Sequence, residues 1–339
     1  MTETTFSPPE HQRHWLLAIS GLLETSLVVI VSIVAAVMVQ RFWTPSLAEA
    51  LGLAGGATQD FVAASAAIGV QFAAQYGAMA ALIIVLGLAR GRNRLRHYAI
   101  ASPQGGWRNA IGSGVIAGLL VGVIPALVFV LQDVAPIGED TPIWAALRGA
   151  RWDWTYWLFM AVGSFAIPPL VEELAWRGYV LGRLGEGFAP GAALVMTTLV
   201  FSALHFQYLR SDAAMALTLV GLVLASLTFG FLTLRSGSLA PAVIAHAIIN
   251  FPLPTEGNMA KIALALVALL MFRRSIGVEA REWVRIIWKA STLAVAPAVM
   301  LIAAAAYAAM RLPNGPYWVG GGAIMLLVVS LVLKRSAWR

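Results

Sequence analysis

Long apolar runs separated by short polar loops constrain this chain more than any other feature. The first run, residues 16–39, is long enough to cross about 30 Å of hydrocarbon as a helix. Of the 339 residues, 60% are hydrophobic and 12% are charged, which is typical of a polytopic membrane protein rather than a soluble domain. We therefore predict an all-α fold, a bundle of transmembrane helices surrounded by the lipid bilayer.

Hydropathy predicts about ten spans, and the charges of the loops predict their orientation. The predicted spans cover residues 15–40, 61–89, 110–132, 154–184, 189–207, 213–234, 239–253, 258–272, 291–311 and 316–333. Arginine and lysine concentrate in alternate loops, so the positive-inside rule places both termini in the cytoplasm. The formal net charge of +7 then reflects topology signals, and we expect no nucleic-acid partner.

The stretch "PPLVEELAWRGYVLGRL", residues 168–184, places Glu172, Glu173 and Arg177 inside a predicted span. An acid or arginine at the centre of a span costs about 2.5–3.5 kcal/mol, so these side chains must face the protein interior or a wet cavity. Glu173 and Arg177 are four apart and can pair, whereas Glu172 points away and lacks a local partner. A structural ion pair explains the first two residues but not Glu172, which is a candidate general base.

Two further polar motifs follow on later spans. "FSALH" ends at His205, and "HAIIN" runs from His246 to Asn250, so that each motif places its end residues on one helix face. A single membrane histidine is more often a packing group than a catalyst. Of the five histidines, however, these two are the ones that lie within predicted spans, and both are close in sequence to the glutamates.

One carboxylate, two imidazoles and an amide suit the hydrolysis of a peptide bond. Glu172 would take a proton from water, an imidazole would position that water or pass the proton to the leaving amine, and His246 with Asn250 would stabilise the oxyanion. The chain has no cysteine and no serine in a nucleophile-elbow setting, so no covalent nucleophile is expected.

A zinc-dependent version of the same chemistry stays open. Two histidines and one glutamate plus water form an ordinary catalytic zinc shell. The sequence contains no HExxH helix, and Asn250 would be an unusual ligand. We therefore favour a metal-free mechanism with no cofactor.

The three motifs, in this order on separate spans, resemble those of the CPBP family, which includes CAAX-type prenyl-protein endopeptidases and bacteriocin-processing enzymes. The family's motifs are EExxxR, FxxxH, and His followed four residues later by Asn or Asp. They are matched by Glu172, Glu173 and Arg177, by Phe201 and His205, and by His246 and Asn250.

The resemblance implies an intramembrane endopeptidase whose site opens toward the cytoplasm. It implies that Glu172 and His205 activate the water, that His246 and Asn250 stabilise the oxyanion, and that the second glutamate and its arginine order the site. It covers residues 154–253, which we predict to be the catalytic core.

The remaining chain divides into two predicted regions. Residues 1–153 hold the N-terminal transmembrane helices and loops. Residues 254–339 hold further spans and a basic amphipathic segment, 273–289, expected to lie on the inner leaflet. An additional membrane acid, Glu24, is more consistent with a hydrogen bond to a neighbouring helix than with catalysis.

The expected partner is a membrane-embedded peptide or protein substrate, and the expected location is a bacterial-type inner membrane. Other functions stay open. A non-catalytic scaffold or bacteriocin-immunity protein would use the same groove to sequester a peptide. A transporter would also place ionisable groups at mid-membrane, although the paired broken helices of inverted repeats are not evident in the sequence.

Overall fold

The computed structural model describes residues 17–29, 31, 76–88, 98–135, 161–205, 208, 213–251 and 253–291. Within these ranges the regular structure is helical and contains no strand, which confirms the all-α prediction. Two helical stretches there, Gly106–Val134 and Ala214–Ser236, are long and apolar enough to cross a membrane, and four shorter apolar helices accompany them. The first stretch divides at Gly122 into two helices. The predicted spans 291–311 and 316–333 lie outside the described residues except for Ser291.

The described helices are numbered here in chain order. They are α1 (Leu17–Val29), α2 (Tyr76–Leu88), α3 (Gly106–Val121), α4 (Val123–Val134), α5 (Ile167–Glu173), α6 (Leu181–Gly187), α7 (Pro190–Ala203), α8 (Ala213–Ser236), α9 (Ala240–Asn250) and α10 (Thr255–Ser291). The number of spans and the side on which each terminus lies stay predictions.

Residues 161–187 form one continuous helical segment, called the glutamate segment below. Two π-helical stretches, Ala161–Ala166 and Leu174–Val180, alternate with α5 and α6. Pro168 and Pro169 suggest a kink or break, yet the segment stays helical and changes from π to α geometry just before them. The change from π to α hydrogen bonding thus falls where the missing N–H groups of the two prolines interrupt the backbone ladder.

Helix α9 lies at the centre of the bundle, packed against α3, α5 and α8. The backbones of α3 and α9 are nearly in contact. A Cβ atom at Gly114 would lie 2.7 Å from the carbonyl oxygen of Pro241, and one at Gly118 would lie 2.7 Å from that of Ala245. Small residues four apart allow this close approach between membrane helices. Helix α3 therefore fixes one side of α9.

Both ends of α9 are also held by polar contacts. Before its first turn, Ser238 Oγ donates to the carbonyl oxygen of Ala101 over 2.7 Å. At its last turn, Lys261 of α10 directs Nζ toward the carbonyl oxygens of Ile249 and Phe251, each 3.4 Å away. Lys261 is buried and supplies donors to carbonyls that a helix end leaves unpaired. The position of α9 is thus set along its whole length.

Helix α10 bends at Phe272, where φ is −108° and ψ is 15°. The bend separates an apolar half from the basic segment 273–289, at the boundary expected between the span and the amphipathic segment. Ile286 and Ile287 of the basic half pack against the core cluster around the glutamate segment. Association of this half with the inner leaflet stays a prediction.

Candidate active site

The glutamate segment buries all three of its predicted polar residues. Glu172, Glu173 and Arg177 are 7%, 0% and 1% exposed. Arg177 Nη1 donates to Glu173 Oε1 over 2.9 Å, so the pairing expected from their spacing is confirmed. Arg177 Nη2 donates to Ser226 Oγ on α8 over 2.8 Å. The ion pair therefore connects the glutamate segment to α8.

Two phenylalanines enclose the same guanidinium. Arg177 Cζ lies 4.4 Å from the ring centroid of Phe201 and 5.2 Å from that of Phe229. A desolvated cation over an aromatic face gains about 2 kcal/mol or more from the ring quadrupole. Phe201, the first residue of the FxxxH motif, thus helps to hold the buried cation as well as beginning the turn that leads to His205.

His246 on α9 connects both glutamates. Its Nδ1 lies 2.7 Å from Glu173 Oε1, and its Nε2 lies 3.8 Å from Glu172 Oε2. Because a carboxylate accepts hydrogen bonds, Nδ1 carries the proton that is shared with Glu173. Asn250 Nδ2 lies 3.1 Å from His246 Nε2, as expected for two residues on one helix face. The ring of Phe229 stacks on the imidazole, with centroids 5.1 Å apart.

His205 lies just after the last turn of α7. Its Nδ1 is 2.9 Å from the carbonyl oxygen of Phe201, so Nδ1 donates and the neutral ring presents Nε2 as a base. The His205 ring lies 4.6 Å from that of Phe201, the ring that also contacts the Arg177 guanidinium. Its ring is also stacked on Tyr208, with centroids 6.0 Å apart. The structure therefore brings the three sequence motifs together in one place.

Glu172 has a partner that sequence reasoning missed. The hydroxyl of Tyr76 on α2 donates to Glu172 Oε1. This tyrosine lies far upstream of the three motifs, and one tyrosine in an apolar helix is no signal by itself. Ser226 and Phe229 on α8 were missed for the same reason, because their roles depend on which helix α8 packs against.

A second buried ion cluster joins α1 to α6. Arg183 Nε donates to Glu24 Oε2 over 2.8 Å, and its Nη2 donates to Ser20 Oγ over 2.5 Å. Arg183 also pairs with Glu186, and Tyr179 donates to Glu24 over 2.5 Å. The expectation that Glu24 bonds a neighbouring helix is confirmed.

The geometry of the cluster formed by Glu172, Glu173, Arg177 and His246 permits acid–base chemistry on water. Two polar atoms 3.8 Å apart, as are Glu172 Oε2 and His246 Nε2, can both contact one water molecule at about 2.8 Å. In the part of the chain that the structure describes, no three His, Asp or Glu side chains are arranged to hold a metal ion.

Comparison with known proteins matches the part of the chain that contains the three motifs to a protein family. Residues 152–252 match the family model described as Type II CAAX prenyl endopeptidase Rce1-like. No curated protein and no solved structure gave a match. The matched segment contains the three motifs and implies a membrane-embedded protein with CAAX-type intramembrane protease activity. The resemblance to the CPBP family is thereby confirmed, and over residues 152–252 the chain is similar to the Rce1-like type II CAAX prenyl endopeptidases.

Proposed function

We propose that the protein is an intramembrane endopeptidase in which Glu172 activates the water that hydrolyses the peptide bond. The observation that carries this proposal is the position of the Glu172 carboxylate. It is buried, it receives a hydrogen bond from the neutral hydroxyl of Tyr76, and its second oxygen lies 3.8 Å from His246 Nε2. A carboxylate that is buried but not bonded to a cation is suited to accept a proton.

In the proposed reaction the water oxygen bonds to the carbonyl carbon of the substrate while a water proton moves to Glu172. His205 accepts a hydrogen bond from the same water through Nε2, because its Nδ1 is occupied by the carbonyl of Phe201. The carbon–nitrogen bond then breaks, and the proton held by Glu172 moves to the leaving amine nitrogen. General acid–base catalysis of this kind contributes about 10²–10⁴-fold to the rate.

Asn250 and His246 are the proposed donors to the oxyanion. The Asn250 amide lies beside His246 Nε2. In the proposed reaction its Nδ2 would donate to the substrate oxygen of the tetrahedral intermediate. His246 donates from Nε2 when it carries both ring protons, and the Glu173 carboxylate at Nδ1 compensates that positive charge. Arg177 holds Glu173 in place, so the ion pair orders the site without touching the substrate.

The proposed substrate is a membrane-embedded peptide or protein, and the proposed setting is a bacterial-type inner membrane. Ten spans with both termini in the cytoplasm, and a catalytic core at residues 154–253 between regions 1–153 and 254–339, complete the proposal. The apolar helices and the family match support a membrane setting, and the charged loops support the orientation.

The reaction is proposed to need no metal. Both ring nitrogens of His246 already face other side chains, Glu173 on one side and Asn250 on the other. Metal analysis of the purified protein, combined with activity after chelation, tests this proposal. Full activity at substoichiometric zinc is expected, and activity that disappears with the metal and returns with added zinc would establish the zinc-dependent alternative.

The central test compares two matched substitutions of buried membrane acids. Glu172→Gln is expected to abolish cleavage in proteoliposomes while the protein stays folded in detergent. Glu24→Gln makes the same chemical change in the cluster around Arg183, and its folded fraction should still cleave. Comparative membrane proteomics of wild type and Glu172→Gln cells would then identify proteins that accumulate uncut.

Two outcomes would decide against the proposal. Cleavage by folded Glu172→Gln at the wild-type rate would remove Glu172 as the base. A cellular phenotype that survives this substitution but is lost when the groove or inner loops are changed would instead support the scaffold or immunity function.

A further inference from the structure

We propose that Tyr76 of α2 is a positioning residue for Glu172, so that the active site is completed by a helix outside the family-matched segment 152–252. This inference rests on the proposed function, because it assigns a role in setting up the glutamate base. The family match covers neither α2 nor any residue before 152. The site would therefore depend on a part of the chain that carries none of the three motifs.

The two oxygens of the Glu172 carboxylate face different partners. Oε1 accepts the hydrogen bond from the Tyr76 hydroxyl, and Oε2 is the oxygen 3.8 Å from His246 Nε2. A carboxylate rotates about its terminal torsion with little restriction, since this torsion is broad and roughly two-fold. A hydrogen bond to one oxygen fixes the direction of the other. Tyr76 thus directs Oε2 toward the place where the proposed water would sit.

The chemical type of this partner also matters. A tyrosine hydroxyl is a neutral donor, whereas Glu173 is bonded directly to the cation of Arg177. A lysine or arginine in place of Tyr76 would orient Glu172 equally well but would compensate its charge and weaken it as a base. The pair of glutamates therefore differs in function because the donors that hold them differ in charge.

The packing of α2 places Tyr76 against the core cluster around the glutamate segment. Tyr76, Met79 and Ile83 are spaced as i, i+3 and i+7, which places them on one face of α2. Met79 and Ile83 are each 4% exposed and belong to the core cluster that contains Trp176 of the glutamate segment. The face of α2 that packs against this cluster therefore also places the Tyr76 hydroxyl beside Glu172.

The test is Tyr76→Phe, which removes the hydroxyl and keeps the ring in the core. The expected result is a fall in kcat of about 10- to 100-fold, the size of one hydrogen bond to a charged group, with KM changed by less than about twofold. Tyr98→Phe is the matched control. Tyr98 is also buried, but its ring lies against Tyr179, with centroids 5.0 Å apart, and cleavage should stay at the wild-type rate.

A double-mutant cycle separates positioning from a general loss of structure. Glu172→Asp keeps a carboxylate but shortens its reach, so the Tyr76 hydroxyl no longer aligns with it. Tyr76→Phe should then lower kcat by less than about threefold in the Asp background, because the contact it removes is already gone. If Tyr76→Phe instead caused a general structural defect, its effect on kcat would multiply with the effect of Glu172→Asp. All rates refer to the monodisperse folded fraction in detergent.

The outcomes keep this inference apart from the proposed function. If wild type cleaves, Glu172→Gln does not, and Tyr76→Phe equals wild type, then Tyr76 has no positioning role and the glutamate mechanism stands. The inference would also be overturned if Tyr98→Phe lowered kcat as much as Tyr76→Phe does. It would be overturned as well if the effects of Tyr76→Phe and Glu172→Asp on kcat multiplied fully. Cleavage by Glu172→Gln would overturn the proposed function itself.

Discussion

Arg177 and Arg183 lie on the same helical segment, and each is at most 1% exposed, yet their surroundings differ. Arg183 donates through all three of its side-chain nitrogens, to Glu24, to Glu186 and to Ser20. Its two acids, each 17% exposed, lie near the edge of the bundle. Each side-chain nitrogen of Arg183 thus has an acceptor, and the cluster connects α1 to α6.

The cluster around Arg177 is less complete. In the described part of the structure, Arg177 Nε and Glu173 Oε2 are buried without a hydrogen-bond partner. The second acid, Glu172, is bonded by a neutral hydroxyl and faces an imidazole. A buried polar network that is only partly satisfied costs stability, and such networks are found where chemistry needs them. Under the proposed function, the Arg183 cluster holds α1 against α6, and the Arg177 cluster orders the groups around Glu172.

The largest expected effect is on stability and comes from Arg183→Met. Removing the cation leaves Glu24 and Glu186 without their common partner, and breaking a buried pair in this way costs about 3–5 kcal/mol. Denaturant unfolding in detergent measures the loss. Cleavage per folded molecule should stay within about twofold of wild type. A folded but inactive Arg183→Met protein would show that the two clusters are not separate in function.

The next largest effect is expected for Arg177→Lys, which retains the charge but loses the planar fork that reaches Glu173 and Ser226 together. The free energy of unfolding should fall by about 1–2 kcal/mol, while kcat falls about 10- to 100-fold because His246 loses a fixed Glu173. Parallel unfolding and steady-state kinetics check both values. A fall in kcat no larger than that of Arg183→Met would contradict the role given to Arg177 in the proposed reaction.

A smaller effect is expected from a matched pair of serine substitutions. Ser226→Ala and Ser20→Ala each remove one hydroxyl that accepts from a buried arginine, so each should cost about 0.5–1.5 kcal/mol in unfolding free energy. Ser226→Ala should in addition lower kcat several-fold, whereas Ser20→Ala should not. Equal kinetics in the two variants would remove the distinction between the clusters.

The smallest effect is expected for Arg235→Gln, which breaks the exposed pair with Glu279. The side chains of Arg235 and Glu279 are 60% and 47% exposed, and the closest nitrogen–oxygen distance is 3.4 Å. Such pairs contribute less than about 0.5 kcal/mol, so stability and cleavage should both match wild type at moderate salt. A loss comparable to that of Ser20→Ala would mean that the contact between α8 and α10 matters more than its exposure indicates.

The sequence predicted the parts of the site that depend on local spacing. Glu173 with Arg177, and His246 with Asn250, are each four residues apart on a helix, so their contact follows from helical geometry. Glu24 was predicted to bond a neighbouring helix because an acid in a span must find a partner. In each case a polar group that is costly to bury in a membrane has a compensating partner nearby.

The sequence did not predict contacts that depend on how distant helices pack. The sequence separation between Tyr76 and Glu172 is 96 residues, and no periodicity indicates that α2 lies beside the glutamate segment. In the sequence, Lys261 is one lysine near the end of a predicted span. Its contact with the carbonyl oxygens at the end of α9 is visible only in the structure. The continuous helix through Pro168 is also not expected from the sequence, because a proline inside a helix removes a backbone donor and commonly kinks the helix.

The close contact of Gly114 and Gly118 with α9 has a consequence for how a substrate reaches the site. Two backbones this close leave no gap for a third chain, and moving α9 away from α3 would open a void beside both glycines. We therefore expect the interface between α3 and α9 to stay closed rather than to serve as a gate. For the proposed reaction, we therefore expect a substrate to reach His246 from a side other than its interface with α3.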